Sequence, residues 1–363
     1  MPFFKPQRSL SFATGAGSLP AEVLAEIREG LVSWRGSGLS VLELPFTGAK
    51  FQTILAEAEQ DLRDLLDIPA SYRVLFLQGG AFAQFRLVPL NLLRAGESAS
   101  YVETGYWSAR AMAEARALCP VVVAARARKA VPPFAEWRIP PDAAYCHITT
   151  NETAEGVQFH EIPVLSRTPL VADMTADLLT GPLDIRRFGL IYASAQKNLG
   201  AAGLTLVIVR EDLLGRGQDV VPAPLDYTRQ ARAGNRINTP PTFAIYVAGL
   251  MLKWLKRQGG LNVIAERNRR KAAKLYAAIE TGGFYHCPVP PPHRSSVTVC
   301  FHLPDAVQEA AFLEAAAQAG LLNLQGHPAV GGIRAALYNG VTEAAVDALV
   351  AFMAEFAAKH AHR

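Results

Sequence analysis

Two kinds of apolar segment alternate along the chain between about residues 20 and 260. Short apolar runs predict buried strands, because a strand that is covered on both faces has no polar side. The longer segments between them have apolar residues at helical spacing, as in residues 51–66, and Pro20 favours a helix start at Ala21. The predicted strands span residues 74–77, 101–102, 121–125, 170–172, 190–193 and 204–209.

This alternation predicts an α/β fold in which helices cover both faces of a mostly parallel sheet. After about residue 240 the pattern changes: two long helical segments lead into a proline-rich connector at 288–292, and a strand–helix–strand–helix pattern ends the chain. We therefore predict a large domain over residues 16–258 and a small C-terminal α/β domain over residues 259–363. The N-terminal segment 1–15 is expected to pack near the small domain.

Composition and charge narrow the class of protein. The chain has 363 residues, of which 50% are hydrophobic and 19% are charged, as is typical of a globular protein with a core. Its formal net charge of +4 includes no long basic block of the kind that binds nucleic acid. The apolar runs are shorter than the roughly 18 residues of a membrane span, and the N-terminus lacks an apolar signal core. We expect a cytoplasmic protein with neither a nucleic-acid nor a membrane partner.

The cysteines indicate neither a metal site nor a disulfide framework. Cys119, Cys146, Cys287 and Cys300 are far apart in the sequence, and no C-x-x-C pair or histidine at zinc-like spacing accompanies them. No metal is therefore expected.

Lys197 and Asp173 are the first candidates for chemistry, since ligand sites in open parallel sheets lie beyond the carboxyl ends of the strands. Lys197 stands between two apolar runs, where burial would favour a neutral, nucleophilic amine, although an exposed lysine in a turn fits the same position. Asp173 ends another run and, taken alone, fits a helix cap or turn better than a catalytic role. Together they match what pyridoxal phosphate requires, a lysine for the Schiff base and a carboxylate for the pyridinium nitrogen.

Two further turns fit a flat, phosphorylated cofactor. Residues 79–84, Gly-Gly-Ala-Phe-Ala-Gln, follow a predicted strand and open a helix, whose first N–H groups could bind a phosphate. A glycine turn after a strand is nevertheless common. Trp107 follows the run at 101–102 and could either stack on a ring or pack in the core.

With these residues in place, the chain resembles the phosphoserine aminotransferases, a family of class V, fold type I pyridoxal-phosphate transaminases. The resemblance runs nearly end to end and is closest at residues 74–93, 193–205, 207–215, 238–243 and 331–339. It implies pyridoxal 5′-phosphate as the cofactor, bound by a large domain with a mostly parallel seven-stranded sheet. It also implies a homodimer with active sites at the subunit interface, acting on an amino acid and a 2-oxo acid.

The resemblance implies a role for each candidate residue. Lys197 would join the cofactor covalently and then carry the proton of the substrate α-carbon, Asp173 would pair with the ring nitrogen, and Trp107 would stack on the ring. Arg334 would bind the substrate α-carboxylate in a two-pronged ion pair. The remaining cofactor contacts would come from the backbone N–H groups of Ala81 and Phe82, from Thr153 and Gln196 and, in the other subunit, from Asn238 and Thr239.

The substrate pocket departs from the family pattern. Phe46 and Thr47 stand where the family has a His-Arg pair, and of a second His-Arg pair only His327 remains, followed by Pro328. In the family these basic residues bind the substrate's phosphate and distal carboxylate. Losing three charge-assisted hydrogen bonds of roughly 1.5–3 kcal/mol each weakens binding by orders of magnitude. We therefore predict an aminotransferase for a non-phosphorylated, less anionic substrate.

Three alternatives stay open at this point. A genuine phosphoserine aminotransferase could supply the missing positive charge from Arg86, Arg232 or Arg236. A pyridoxal-phosphate enzyme could instead catalyse elimination, substitution, racemisation or decarboxylation. A binding protein that kept only the fold would not need the lysine, the aspartate and the arginine.

Overall fold

The structure of the chain, a computed structural model, describes residues 9–218 and 220–360. Over these residues the α-helices are α1 (Ala21–Val32), α2 (Ala49–Leu66), α3 (Ala81–Leu92), α4 (Tyr106–Arg116), α5 (Tyr227–Arg232), α6 (Thr242–Arg257), α7 (Leu261–Glu280), α8 (Ala306–Gln318) and α9 (Glu343–His360). The strands are β1 (Leu10–Ser11), β2 (Tyr72–Gly79), β3 (Ala99–Glu103), β4 (Val121–Arg126), β5 (Cys146–Thr149), β6 (Asn151–Glu152), β7 (Val157–Gln158), β8 (Leu170–Asp173), β9 (Leu190–Ser194), β10 (Gly203–Arg210), β11 (Thr298–Phe301), β12 (Leu321–Leu322), β13 (Gln325–His327) and β14 (Gly331–Ala336).

A seven-stranded sheet, in the order β2-β10-β9-β8-β5-β3-β4, organises the first two thirds of the chain. Strand β10 runs antiparallel to both of its neighbours, whereas all other neighbouring strands are parallel. The α/β fold with a mostly parallel seven-stranded sheet is thereby confirmed. Strands β8 and β9 are buried at every position, which explains their unbroken apolar runs.

Strand β5 is the central strand that the apolar pattern did not predict. It carries His147 and Thr149 at buried positions, and these polar residues interrupt the apolar run. The His147 ring stacks on Tyr101, and its Nε2 lies 2.9 Å from the Tyr192 hydroxyl. Other strands of the sheet therefore accommodate the His147 ring, whereas His147 Nδ1 and Thr149 Oγ1 are buried without a hydrogen-bond partner among the described residues.

The sheet has a hydrophobic core on each face. Along β2, Val74 and Phe76 belong to the core that α2 and α6 cover, and Leu75 and Leu77 belong to the core that α3 and α4 cover. The apolar stripe of the predicted helix at 51–66 is buried, as its periodicity requires.

A three-stranded antiparallel sheet, in the order β11-β14-β13, packs with α8 and α9 around another core. Strand β1 pairs with β12, and Phe12 lies in this core. Helix α7 contributes Leu261 and Ile264 to the first core and Leu275 to this one. The domain boundaries at 16–258 and 259–363 stay a prediction, and residues 1–8 of the N-terminal segment lie outside the described part.

None of the helices described is both long and apolar enough to cross a membrane. The four cysteines are free thiols, and the described residues contain no cluster of side chains suited to a metal ion.

Candidate active site

A cavity of about 340 Å³ lies at the edge of the seven-stranded sheet where β2, β3, β5, β8 and β9 end. Its volume is within the usual range for small-molecule sites. The cavity brings together nine of the predicted residues, from turns that are distant in sequence: Ala81, Phe82, Trp107, Thr153, Asp173, Gln196, Lys197, His327 and Arg334.

Lys197 lies in the turn between β9 and β10, with its amine at the cavity. Its Nζ donates a hydrogen bond to Thr153 Oγ1 at 3.3 Å. Burial lowers the pKa of Lys197 to about 8, against the opposing effect of the Asp173 carboxylate. The N-terminal segment crosses this turn closely, because a Cβ at Gly17 would lie only 2.1 Å from the Lys197 carbonyl oxygen. Lys197 is therefore not the exposed turn lysine that its sequence position also allowed.

Asp173 ends β8 and is 5% exposed. Its Oδ1 accepts a hydrogen bond from the Thr175 N–H at 2.9 Å. Burial raises the pKa of Asp173 above its ordinary value, and the bonds from Thr175 and the charge of Lys197 oppose this effect. A buried carboxylate that faces a cavity is suited to a cationic partner in that cavity.

Trp107 stands in the first turn of α4, and Glu152 holds that turn in place. The indole Nε1 donates to Thr153 Oγ1 at 3.0 Å. The fully buried Glu152 carboxylate accepts hydrogen bonds from the N–H groups of Trp107 (2.8 Å) and Ser108 (2.9 Å), at the positive end of the helix dipole. Burial and then the neighbouring Glu155 carboxylate raise the pKa of Glu152. The sequence signal for Glu152 is only its place beside Thr153 in the chain, and its role was therefore not predicted.

The first turn of α3 forms an anion cradle at one end of the cavity. The helix begins at Ala81, so the N–H groups of Ala81 and Phe82 have no partner within the helix. A Cβ at Gly80 would lie 3.4 Å from Ser194 Oγ, so the turn passes close to the end of β9. Ser194 Oγ also donates to Gln196 Oε1 and orients that amide at the cavity.

Arg334 reaches the cavity from β14 of the other sheet. Its Nη1 donates to the Thr153 carbonyl oxygen at 2.9 Å, whereas its Nε is buried without a hydrogen-bond partner. Burial lowers the pKa of Arg334. An unsatisfied N–H on a buried guanidinium is suited to a carboxylate ligand, which can accept two parallel bonds.

His327 closes the same end of the cavity among aromatic side chains. Its ring centroid lies 4.3 Å from that of Tyr106 and 5.9 Å from that of Trp107. Burial and then the Arg334 charge lower the pKa of His327, which favours the neutral ring at pH 7. The sequence gives no signal for Tyr106, because its contact with His327 joins α4 to the distant strand β13.

Several predicted residues lie outside the cavity of this chain. Phe46 packs half-buried against the first core and Thr47 is exposed, because the turn that holds them leads into α2. Their place in a substrate pocket at a subunit interface stays a prediction. Pro328 is exposed beside His327. The remaining predicted residues that do not line the cavity are Asn238, Thr239, Arg86, Arg232 and Arg236.

Comparison with known proteins supplies the family context. Residues 10–349 match the family described as aminotransferase class-V. The phosphoserine aminotransferase of Acidithiobacillus ferrooxidans is 52% identical over 359 residues, which cover 98% of this chain and 99% of that protein.

Solved structures resemble the chain over nearly its whole length. The phosphoserine aminotransferase from Bacillus circulans subsp. alkalophilus has a TM-score of 0.94 and 40% identity, covering 97% of this chain and 99% of its own. The pyridoxal-phosphate-bound phosphoserine aminotransferase from Trichomonas vaginalis has a TM-score of 0.92 and 35% identity, covering 96% of this chain and 100% of its own.

Proposed function

This chain belongs to the phosphoserine aminotransferase family of the class V, pyridoxal-phosphate-dependent aminotransferases, and from this premise we propose that it transfers the amino group between phosphoserine and a 2-oxo acid. The observation that carries the proposal is the cavity in which Lys197, Asp173, Trp107 and Arg334 meet. The 52% identity along 98% of the chain supports the phosphorylated substrate.

The residues of the cavity fit pyridoxal phosphate. Lys197 would bond to its aldehyde, Asp173 would face its ring nitrogen, and Trp107 would cover one face of its ring. The N–H groups of Ala81 and Phe82 and the side chain of Gln196 would hold its phosphate. Thr153 would contact the polar edge of its ring. When bound, the cofactor supplies a ring that accepts the electrons of the substrate's α-carbon.

The protein's own groups perform the binding and the proton transfer. Arg334 would bind the substrate α-carboxylate through its unsatisfied Nε and a second N–H, which orients the α-carbon. Lys197 Nζ, with a pKa of about 8, would accept the α-proton and return it. Trp107 would exclude water from one side of the site.

A second candidate is transamination of a less anionic amino acid. Phe46, Thr47 and Pro328 favour it, because none of them can bind a dianionic phosphate through a charged group. Of the described residues at the substrate end of the cavity, Arg334 is cationic, whereas the lowered pKa of His327 favours its neutral ring. This candidate rests on the three side chains alone.

Steady-state kinetics with 2-oxoglutarate as amino acceptor separate the two candidates. We expect phosphoserine to have a higher kcat/KM than serine, alanine and aspartate. If the three substitutions remove the phosphate contacts, phosphoserine loses about a thousandfold or more, and a non-phosphorylated amino acid is preferred. That second result would overturn the phosphoserine proposal but leave the aminotransferase assignment unchanged.

We also propose that the active unit is a homodimer. Asn238 is half-buried and Thr239 is exposed, and the Thr239 carbonyl oxygen accepts a hydrogen bond from Gln78 Nε2 on β2, at the edge of the sheet. From this edge, the two residues would reach the cofactor cradle of a second subunit.

A further inference from the structure

Three buried asparagines lie between the seven-stranded and the three-stranded sheets, outside the active-site cavity. Asn198 directly follows Lys197, Asn268 lies on α7, and Asn339 follows the strand that carries Arg334. Their exposed fractions are 3%, 2% and 4%, so each is enclosed by protein. We refer to Asn198, Asn268 and Asn339 as the asparagine triad.

The members of the asparagine triad are hydrogen-bonded to one another. The backbone N–H of Asn339 donates to Asn198 Oδ1 at 3.1 Å, and Asn268 Nδ2 donates to Asn339 Oδ1 at 3.0 Å. Because a buried amide that loses its partner is costly, these bonds hold the three backbone segments at a defined separation.

The triad is also bonded to the segment that follows Asp173. Its side-chain amides donate to three backbone carbonyl oxygens of this segment: Asn198 to Ala176 O (2.6 Å), Asn339 to Leu179 O (2.9 Å) and Asn268 to Thr180 O (3.1 Å). Leu179 has a φ of +66°, which lies in the left-handed region that a bulky side chain seldom adopts. The triad donors stabilise this unusual conformation.

Apart from α7, each segment that the triad joins carries one charged group of the active site: Asp173, Lys197 or Arg334. We propose that Asn339, at the centre of the triad, is a positioning residue that sets the register of the Arg334 guanidinium relative to the Lys197 amine. The proposal rests on the proposed function, in which Arg334 binds the substrate carboxylate while the α-carbon faces Lys197. A displacement of about 1 Å between such groups can lower a rate by roughly 100-fold.

The backbone on either side of Asn339 is also hydrogen-bonded to α7 by Lys271. Lys271 on α7 is fully buried, and its Nζ donates to the carbonyl oxygens of Leu337 (2.6 Å), Tyr338 (2.9 Å) and Val341 (3.0 Å). The segment that leaves β14 is thus bonded to α7 on both sides of Asn339. Asn339→Ala therefore removes the side-chain bonds that tie this segment to Leu179 O and to Asn268, whereas the backbone N–H bond to Asn198 remains and Lys271 retains the segment.

The kinetic test compares holoenzymes of the wild type and of Asn339→Ala, with phosphoserine that carries hydrogen or deuterium at its α-carbon. We expect kcat to fall by about tenfold or more while KM changes by less than about threefold, because carboxylate binding at Arg334 persists. The deuterium isotope effect on kcat should increase, since proton transfer to Lys197 from an α-carbon that Arg334 holds out of place becomes slower than the other steps. Asn268→Ala, which removes only one bond to Asn339, should act in the same direction with a smaller magnitude.

A second readout does not depend on turnover. The cofactor absorbance of the holoenzyme is titrated against pH, and Asn198→Ala should shift the midpoint, because this variant frees the Lys197 turn from the segment that carries Asp173. Lys274→Ala is the matched control: Lys274 lies on the same helix as Asn268, is partly exposed, and pairs with Asp347 at 2.7 Å. It should leave both the isotope effect and the midpoint unchanged.

The proposal is overturned if folded Asn339→Ala keeps its cofactor, has a kcat within about twofold of the wild type and shows the same isotope effect. A loss of kcat with an unchanged isotope effect would indicate a merely structural role and would also overturn it. If Asn339→Ala does not fold, Asn268→Ala and Asn198→Ala decide the question by the same criteria. If the wild type does not turn over phosphoserine, the proposed function fails, whereas the absorbance titration still tests the triad.

Discussion

At the residue scale, Thr153 contacts three groups of the active site. Its Oγ1 accepts hydrogen bonds from Trp107 Nε1 at 3.0 Å and Lys197 Nζ at 3.3 Å, and its carbonyl oxygen accepts one from Arg334 Nη1 at 2.9 Å. The Thr153 hydroxyl therefore links the Trp107 ring to the Lys197 amine, and the Thr153 carbonyl oxygen links both to the Arg334 guanidinium. The resemblance implied only a cofactor contact for Thr153, so this linking position is a finding of the structure.

We predict that Thr153→Val lowers kcat/KM by about 30-fold, because two hydrogen bonds of roughly 1 kcal/mol each are lost without a change of shape. Steady-state kinetics on the holoenzyme provide the measurement. The control is Thr53→Val, since Thr53 is an exposed residue of α2 whose hydroxyl bonds only within its own helix. Equal kinetics of the two variants would contradict the prediction.

The lowered pKa of Lys197 leads to a second prediction at this scale. With a pKa of about 8 instead of the ordinary 10.5, the amine is mostly neutral above pH 8 and mostly protonated below it. We therefore expect the rate at which the cofactor-free protein captures pyridoxal phosphate at Lys197 to rise with pH up to about 8 and then to level off.

Borohydride reduction followed by mass spectrometry measures this capture, and Lys197→Ala should show none at this position. A rate that kept rising to about pH 10 would mean that Lys197 behaves like an ordinary exposed lysine, contrary to its burial.

At the scale of the elements, the apolar pattern predicted those strands that are apolar throughout. The runs at 170–172, 190–193 and 204–209 correspond to β8, β9 and β10, each extended by one or two residues. Strand β5 was missed, because its buried His147 and Thr149 have the polarity of a loop. Their burial depends on other strands of the sheet, such as β9 with Tyr192, which a local pattern does not contain.

Lys271 gives a prediction about the element α7. Burial lowers the pKa of Lys271 to about 7, whereas its three carbonyl acceptors match the three N–H bonds of an ammonium group. We predict that Lys271→Met lowers the free energy of unfolding by about 3 kcal/mol, because it leaves buried carbonyl oxygens without donors.

Urea denaturation measures this change. The matched control is Lys274→Met, at a partly exposed position of α7 whose amine pairs with Asp347. If Lys271→Met were as stable as this control, the three carbonyl bonds would contribute nothing to stability.

At the scale of the whole molecule, the active site lies where two sheets with separate cores meet. The seven-stranded sheet supplies Asp173 and Lys197 from its strand ends, and the three-stranded sheet supplies His327 and Arg334. Helix α7 packs in both cores and therefore connects the two sheets. The geometry of the site consequently depends on the packing of the sheets as much as on either sheet alone.

The proposed homodimer gives a prediction that kinetics can test. Lys197→Ala and Asn238→Ala proteins are each expected to be impaired. If Asn238 completes the site of the partner subunit, mixed dimers contain one site with both changes and one site with neither. Mixing the two proteins under subunit exchange should then restore activity, to about half of the wild-type value per mixed dimer.

Two affinity tags show whether mixed dimers form. If they form and activity is not restored, Asn238 belongs to the active site of its own chain or to none. Mixing Lys197→Ala with Asp173→Ala is the matched control. Because both of these residues line the same cavity, each site of the mixed dimer carries one change and activity should not return.

The sequence by itself determined the α/β class and the positions of Lys197 and Asp173, because burial of a strand on both faces leaves a local apolar run whose end is visible in the chain. Only the tertiary structure decided that Thr153 links Trp107, Lys197 and Arg334, that Glu152 holds the start of α4, and that Phe46 and Thr47 lie away from the cavity. These relations join residues that are 44 or more positions apart in the chain, such as Thr153 and Arg334. Contacts between residues so far apart in the chain depend on how the sheets and helices pack, and a local periodicity in the sequence does not predict them.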